Sequence, residues 1–371
     1  MIFYEGPESK RKKAGMKDQL KEIILNLAQI ISESGQEALI QEFIANWLRK
    51  RGIQPVFQSV PGCGPNLLVF FSSSPKLLLA THVDTVPVRL GRYPPRNEGE
   101  ELYGVGVCDA KAGVAILMLL AEEWSRQNEG PPVALAFLVD EENEGRGSAE
   151  LVREYFFPEA VVLEPTRLTV AIAEAGSVEY EVEVYGRAVH GSLAHQGENA
   201  IERAMDLISA LKRLPFLYEE HPLVGPSWFN VEKFVGGDGE LRVPDRVELE
   251  LEFRLLPGQD LNQIMAEIEE RFRSFSGVRY RVKDISEAYS LERGANIVSR
   301  LCEAYRRVTG KEARLSGMPS WTDAAHLAAA GTEAVVFGPG DLALCHTPEE
   351  RISLSEVETA FRVLLELARS G

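Results

Sequence analysis

Residues Ala134–Gly145 read ALAFLVDEENEG. An apolar run of strand type stops abruptly at Asp140-Glu141-Glu142. Carboxylates packed this closely repel, and at least one resists ionisation unless a cation neutralises the group. The stretch therefore reads either as a solvated loop or as a place that holds positive charge. Its neighbours in the chain decide the fold around it. The segments NLLVFF (66–71), KLLLATHVDTVPV (76–88), ELYGVGV (101–107), VALAFLVDEE (133–142) and AVVLEPT (160–166) are rich in Val and Leu and hardly alternate. That is the pattern of strands buried on both faces. AGVAILMLLAEEWSRQ (112–127) lies between two of them and has helical character. Upstream, MKDQLKEIILNLAQIIS (16–32) and QEALIQEFIANWLRKRG (36–52) repeat apolar residues at helical spacing, the second closed by Gly52. Strands alternating with helices predict an α/β domain.

The period changes near Gly176. SVEYEVEVYGR (177–187) and RVELELEFRLLP (246–257) alternate polar and apolar residues strictly, as half-buried antiparallel strands do. The amphipathic helix NAIERAMDLISALKRL (199–214) stands between them, and DLNQIMAEIEERFRSF (260–275) follows. Two strand–helix units of this kind predict a small α+β domain over 176–286. Beyond it, NIVSRLCEAYRRVTG (296–310) is again a helix and EAVVFGPG (333–340) again a buried strand. The expected architecture is thus a mixed, mostly parallel sheet flanked by helices over 16–175 and 287–371, interrupted by the inserted α+β domain. Residues 1–15 carry a basic cluster with no apolar stretch after it, and read as an N-terminal extension with Met16 a candidate start.

Composition narrows the function. The 371 residues are 45% hydrophobic and 26% charged, with net charge −16 and an isoelectric point near 5.0. This balance argues against nucleic acid or an anionic membrane as partner. Cys63, Cys108, Cys302 and Cys345 are scattered with no CxxC pair, as in a protein of a reducing compartment. No apolar run reaches the roughly 18–20 residues that span a bilayer. The expected location is the cytoplasm.

Several strand ends carry one kind of residue. THVDTVP presents His82 and Asp84, GVGVCDAKAG presents Asp109, the opening stretch presents Glu141 and Glu142, VVLEPT presents Glu164, and GPGDLALCHTPEE presents His346. Ligands of α/β sheets bind beyond the carboxyl ends of the strands. Imidazoles and carboxylates suit zinc, and two histidines with three carboxylates exceed what one ion with an open position needs. They suit two ions that share a carboxylate. Taken singly, each has a plainer reading: a His-x-Asp pair as a structural hydrogen bond, Asp109 as a helix cap, EPT as a turn, His346 as a surface histidine.

As a set, SESGQEALIQEF, THVDTVP, GVGVCDAKAG, DEENEG, EPT, VHGSLAHQGENAI, FRLLPG and GPGDLALCHTPEE resemble the acetylornithine deacetylase and succinyl-diaminopimelate desuccinylase family of dinuclear zinc amidohydrolases, related to aminoacylases and glutamate carboxypeptidases. The resemblance covers the chain after Met16. It implies a zinc-exopeptidase-like catalytic domain with an inserted ferredoxin-like domain that mediates homodimerisation. It implies two zinc ions per subunit, with cobalt as an alternative ion. His82 and His346 each ligate one, Asp109 bridges both, and Glu142 and Glu164 complete one each. Asp84 orients His82, and Glu141 is the general base. The family places a histidine of the dimerisation domain in the partner's active site, and His190 stands at that position. His195 follows where some desuccinylases carry histidine. Arg254 matches an arginine that binds the substrate carboxylate, aided by backbone donors near Gly317 to Thr322.

One departure bears on the substrate. Desuccinylases carry Thr-Ser-Asp-x-Arg where this chain reads SWTDAAHL, with Ala325 in place of the arginine. A grip for a distal carboxylate is missing. The expected substrate is an N-acyl amino acid of the acetyl-ornithine or acetyl-lysine type. Succinyl-diaminopimelate, or a small peptide cut by a dipeptidase or carboxypeptidase on the same site, is the alternative. A non-catalytic binding protein would lack Glu141 or some of the ligands. A phosphotransfer site would show a Gly-rich phosphate cradle.

Overall fold

A computed structural model of the chain describes residues 15–87, 94–127 and 130–369. All but the last residue of the expected extension 1–15 lies outside them. The chain forms two compact units, one comprising Met1–Val170, Arg293–Arg314 and Thr322–Gly371, the other Ala171–Glu292 and Leu315–Trp321.

In the first unit a sheet runs in the order Val56–Gln58, Asn66–Phe70, Val133–Leu138, Leu77–His82, Glu159–Val162, Glu333–Val336. The first two junctions are antiparallel. The strands from Val133–Leu138 to Glu333–Val336 are mutually parallel, so their carboxyl ends open at one edge. Parallel neighbours need crossover connections. Helix Ala112–Ser125 supplies one and helix Arg146–Glu154 another. The first is buried on every side from Ala112 to Ala121, which explains why AGVAILMLLA has no polar face. Gly113 permits its close approach to the sheet. A Cβ there would lie 2.5 Å from Thr81 Oγ1. Helix Leu354–Arg369 packs against both Met16–Ala28 and Ala112–Ser125.

One expected strand lies elsewhere. Glu101–Tyr103, read as part of the main sheet, instead pairs with Arg96–Glu98 and Arg351–Ser353. Only Leu102 of its three residues is buried. The positive φ values of Gly104 and Gly106, 154° and 75°, then turn the chain.

The second unit holds an antiparallel sheet ordered Trp228–Gly236, Arg246–Leu255, Gly176–Tyr185, Val278–Ser286. With helices Ala200–Leu211 and Leu261–Arg273 this is a βαββαβ arrangement. The alternating residues Val178, Tyr180, Val182 and Val184 pack with Leu249, Leu251, Phe253, Leu207, Ile268 and Phe272. Their polar partners leave Glu179, Glu181 and Glu183 directly opposite Glu252, Glu250 and Glu248. Facing like charges destabilise a sheet, and Lys283 offsets them by pairing with Glu179 at 2.9 Å and Glu250 at 3.1 Å. Asn199 and Asp260 cap the helices, their side chains accepting from Ile201 and Gln263 backbone N–H groups.

Candidate metal centre

Each parallel strand of the first unit delivers a group to the same edge. His82 is the last residue of Leu77–His82. Glu141 and Glu142 follow Val133–Leu138, Glu164 follows Glu159–Val162, and His346 follows Glu333–Val336 after a single 3-10 turn, Leu342–Leu344. Asp109 lies just before helix Ala112–Ser125, where the backbone is not helical (φ −125°, ψ 93°).

The side chains converge in two groups that share Asp109. His82, Asp109 and Glu164 place one ligand-type atom each within 4.8 Å of one another, and so do Asp109, Glu142 and His346. His82 Nε2 lies 2.9 Å from Asp109 Oδ1 and 3.7 Å from Glu164 Oε1. His346 Nε2 lies 3.3 Å from Asp109 Oδ2 and 3.0 Å from Glu142 Oε1. Asp109 thus turns one oxygen to each imidazole. Glu164 Oε1 is buried without a hydrogen-bond partner among the described residues. Imidazole with two carboxylates, repeated, is a donor set that fits dications.

Asp84 is fully buried beneath these groups. His82 Nδ1 lies 3.1 Å from its main-chain carbonyl and 3.4 Å from its Oδ1. The Asp84 carboxylate accepts the backbone N–H groups of Glu141 (3.1 Å) and Glu142 (3.0 Å), and the Ser34 hydroxyl at 2.7 Å. It therefore holds both the histidine and the double-glutamate turn. That turn begins at Asp140, whose φ of 65° is left-handed. Aspartate tolerates this conformation better than most residues. Its side chain accepts from Asn143 Nδ2 at 3.1 Å, and its carbonyl accepts from Gly145 N–H at 2.7 Å. His346 is also left-handed, at φ 58°.

The electrostatics follow from burial. Burial pushes the Glu141 carboxyl well above the usual carboxylate range, with Glu164, Glu142 and Asp323 adding to the shift and His82 opposing it. Glu164 is raised well above it and Glu142 is raised, burial leading in both. Burial acts against a charged His82, yet Glu164 and Glu141 raise it well above its ordinary value. Hydrogen bonds to Asp109 and Glu142 push His346 up to about 10. Asp109 goes the other way: burial opposes ionisation, but His346 and His82 hold it well below the usual range. A pocket this rich in desolvated acids takes up positive charge readily.

The remaining candidates lie in different surroundings. Thr322 is buried in the first unit, its Oγ1 accepting from Ala324 N–H at 3.1 Å at the start of helix Ala324–Ala329. In the second unit His190 is exposed and caps the 3-10 turn Gly191–Gln196, with Nδ1 2.8 Å from Ser192 Oγ. His195, on that turn, is exposed too. Arg254 is 9% exposed. It pairs with Glu252 and lies 4.8 Å over the Trp228 ring. Its Nε and Nη1 have no hydrogen-bond partner among the described residues. Cys345 closes the 3-10 turn Leu342–Leu344. Its thiol and that of Cys108 reach the Asp341 carbonyl, at 3.5 and 3.9 Å.

Three residues near the centre escaped the sequence reading. Ser34 holds Asp84. Asp323, next to Thr322, is buried and raised to about 7 by burial. Lys111, two residues beyond Asp109, is buried, donates to the Ile30 carbonyl at 2.9 Å, and is lowered to about 8 by burial. All three fall inside motifs quoted above, but no periodicity marks them.

Comparison with known proteins bears on the family and the fold. The model of "Peptidase family M20/M25/M40" matches residues 78–370. A "[LysW]-lysine/[LysW]-ornithine hydrolase" of Sulfurisphaera tokodaii is 27% identical over 341 residues, covering 91% of this chain and 92% of its own. Among solved structures, a tripeptidase from Staphylococcus aureus superposes with TM-score 0.81 at 22% identity, covering 95% of this chain and 98% of its own. An M20 family metallo-carboxypeptidase from Sulfolobus solfataricus gives 0.81 at 17% identity, covering 95% and 99%. A family match over most of the length, on a fold shared with these peptidases, leaves one assignment: the chain belongs to the hydrolases of peptidase family M20/M25/M40.

Proposed function

We propose that the protein is a dinuclear zinc amidohydrolase that releases an amino acid from an N-acyl amino acid. The observation that carries the reading is Asp109, which faces His82 with one oxygen and His346 with the other. His82 and Glu164 would hold one ion, Glu142 and His346 the other, with Asp109 between. Two such ions supply an acidified water and a Lewis acid for the substrate carbonyl.

Glu141 belongs to neither ligand group. Its backbone N–H is pinned by Asp84, and burial favours its protonated form. A carboxylate with raised proton affinity is suited to take a proton from the attacking water and return it to the departing amine. Asp84 keeps His82 oriented and the Glu141–Glu142 turn fixed. On the strength of the family resemblance, His190 stabilises the oxyanion, Arg254 and donors near Thr322 receive the substrate carboxylate, and His195 borders the substrate. The unpartnered Nε and Nη1 of Arg254 suit a carboxylate.

The name of the Sulfurisphaera relative and the Ala325 departure both favour release of a basic amino acid, lysine or ornithine, over desuccinylation. A small peptide is the second reading, favoured by the tripeptidase and carboxypeptidase likeness in fold. The free cysteines suit the reducing cytoplasm. No helix among the described residues is long and apolar enough to cross a membrane.

The test is hydrolysis by zinc-loaded protein of N-acetyl-ornithine, N-acetyl-lysine, [LysW]-lysine, N-succinyl-diaminopimelate, dipeptides and tripeptides, with a chelated control. Chelator-sensitive release of one free amino acid names the substrate. Failure of the protein to bind zinc removes the central claim. Glu141→Ala is expected to keep both ions and lose activity by about 100- to about 10,000-fold. Loss of an ion in that variant would exchange the roles of Glu141 and Glu142.

A further inference from the structure

Glu350 has no role in the reading above, although it lies four residues beyond His346 in HTPEE. It is 4% exposed. Its Oε2 accepts the Gly106 N–H at 3.1 Å, and its Oε1 accepts those of Cys108 at 3.1 Å and Asp109 at 3.3 Å. Its main-chain carbonyl accepts the Gly104 N–H at 3.3 Å. Strand pairing sets up the meeting, because Arg351–Ser353 lies antiparallel to Glu101–Tyr103 with Arg351 opposite Tyr103.

The loop that Glu350 grips needs a grip. Between Tyr103 and helix Ala112–Ser125 the backbone leaves strand geometry at Gly104 and Gly106 and stays non-helical at Asp109 and Ala110. No sheet ladder orders it there, and buried N–H groups require acceptors. A carboxylate accepts through both oxygens and donates nothing, so it satisfies several N–H groups converging on it. The same five-residue segment thus carries His346, which contacts Asp109 Oδ2, and the clamp on the Asp109 backbone.

We propose that Glu350 is a positioning residue for the dinuclear site: it clamps residues 104–109 so that Asp109 presents an oxygen to each ion, and it ties that loop to the segment bearing His346. The inference rests on the reading of Asp109 as the bridging ligand. Glu350 belongs to neither ligand group; it acts through Asp109.

The test compares wild type, Glu350→Gln and Glu350→Ala for zinc affinity in chelator-buffered titrations, for kcat and KM, and for thermal midpoint. Glutamine keeps one oxygen for Cys108 and Asp109 but turns an NH2 towards the Gly106 N–H, so it is the milder, near-isosteric change. Zinc affinity is expected to fall by roughly 10- to 100-fold, the range seen when outer partners of metal ligands are removed. Alanine is affected more than glutamine, kcat falls with ion occupancy, and KM is little changed. A lowered midpoint with wild-type zinc affinity and kcat in folded Glu350→Gln would make Glu350 a plain structural anchor and overturn the proposal. Wild type that binds two ions beside unchanged variants sinks this inference alone, whereas wild type that binds none sinks the metal reading and this with it.

Discussion

Asp84 illustrates how much one buried side chain carries. Its two oxygens accept from the backbone of Glu141 and of Glu142, and its carbonyl faces His82. Asp84→Asn turns an NH2 towards one of those N–H groups and leaves a buried donor unsatisfied. The expected outcome is a folded protein with zinc affinity reduced about 10- to 100-fold, read by titration. A second expectation concerns pH. Burial raises Glu141, Glu142 and Glu164, and takes Asp323 and Glu350 to about 7. Between the ordinary carboxylate value near 4 and about 7, the folded metal-free chain holds more protons than the unfolded one. Its stability therefore falls as pH rises through that window. His82 and His346 act in the same sense. Their contribution is present below about 6.5 and is lost as pH climbs, for His346 towards about 10. Asp84 and Asp109, held low, act oppositely only below about 4. The thermal midpoint of chelated protein should drop from about pH 5 to about pH 8, and zinc should flatten the slope. A midpoint that rises over this range would contradict the charge balance described here.

At the scale of elements, the site depends on tight approaches between helices and strands. Gly147 opens helix Arg146–Glu154 against the strand end that precedes Asp140. A Cβ there would lie 2.3 Å from the Val139 carbonyl oxygen and 2.8 Å from Asn66 Oδ1. Backbone cannot swing aside as a side chain can. Gly147→Ala is expected to cost about 1–3 kcal/mol by denaturant unfolding, and to reduce kcat by displacing the Glu141–Glu142 turn. The elements themselves were readable where burial imposes a period. VALAFL on a doubly covered strand, the alternation from Ser177 to Tyr185, and the wholly apolar Ala112–Ala121 all report their surroundings. Glu101–Tyr103 misled because a short strand with one buried residue reads the same in any sheet. The turn before His346 has no period, so its left-handed backbone had no signature in the chain.

At the scale of the molecule, the second unit carries exposed apolar residues on its edge strand Trp228–Gly236 and nearby: Phe234, Val235 and Leu241, the last 83% exposed. An open edge with apolar side chains invites pairing with another chain. The homodimer implied by the family resemblance would cover such a patch. Light scattering is expected to give twice the 41.1 kDa of the chain, and Val235→Lys with Leu241→Lys to give monomer; a monomeric wild type would remove the dimer. What the sequence by itself determined was the alternation of strands and helices, the change of period that sets off the second sheet, and the acids and histidines at strand ends. Those are consequences of burial acting over a few neighbouring residues. Only the tertiary structure decided that Asp109 faces both imidazoles, that Asp84 pins the glutamate turn, that Arg254 is paired with Glu252, and that Glu350 grips a loop 241 residues away. Such pairings arise from the register of strands and the path of loops across the whole chain, and no local period records them.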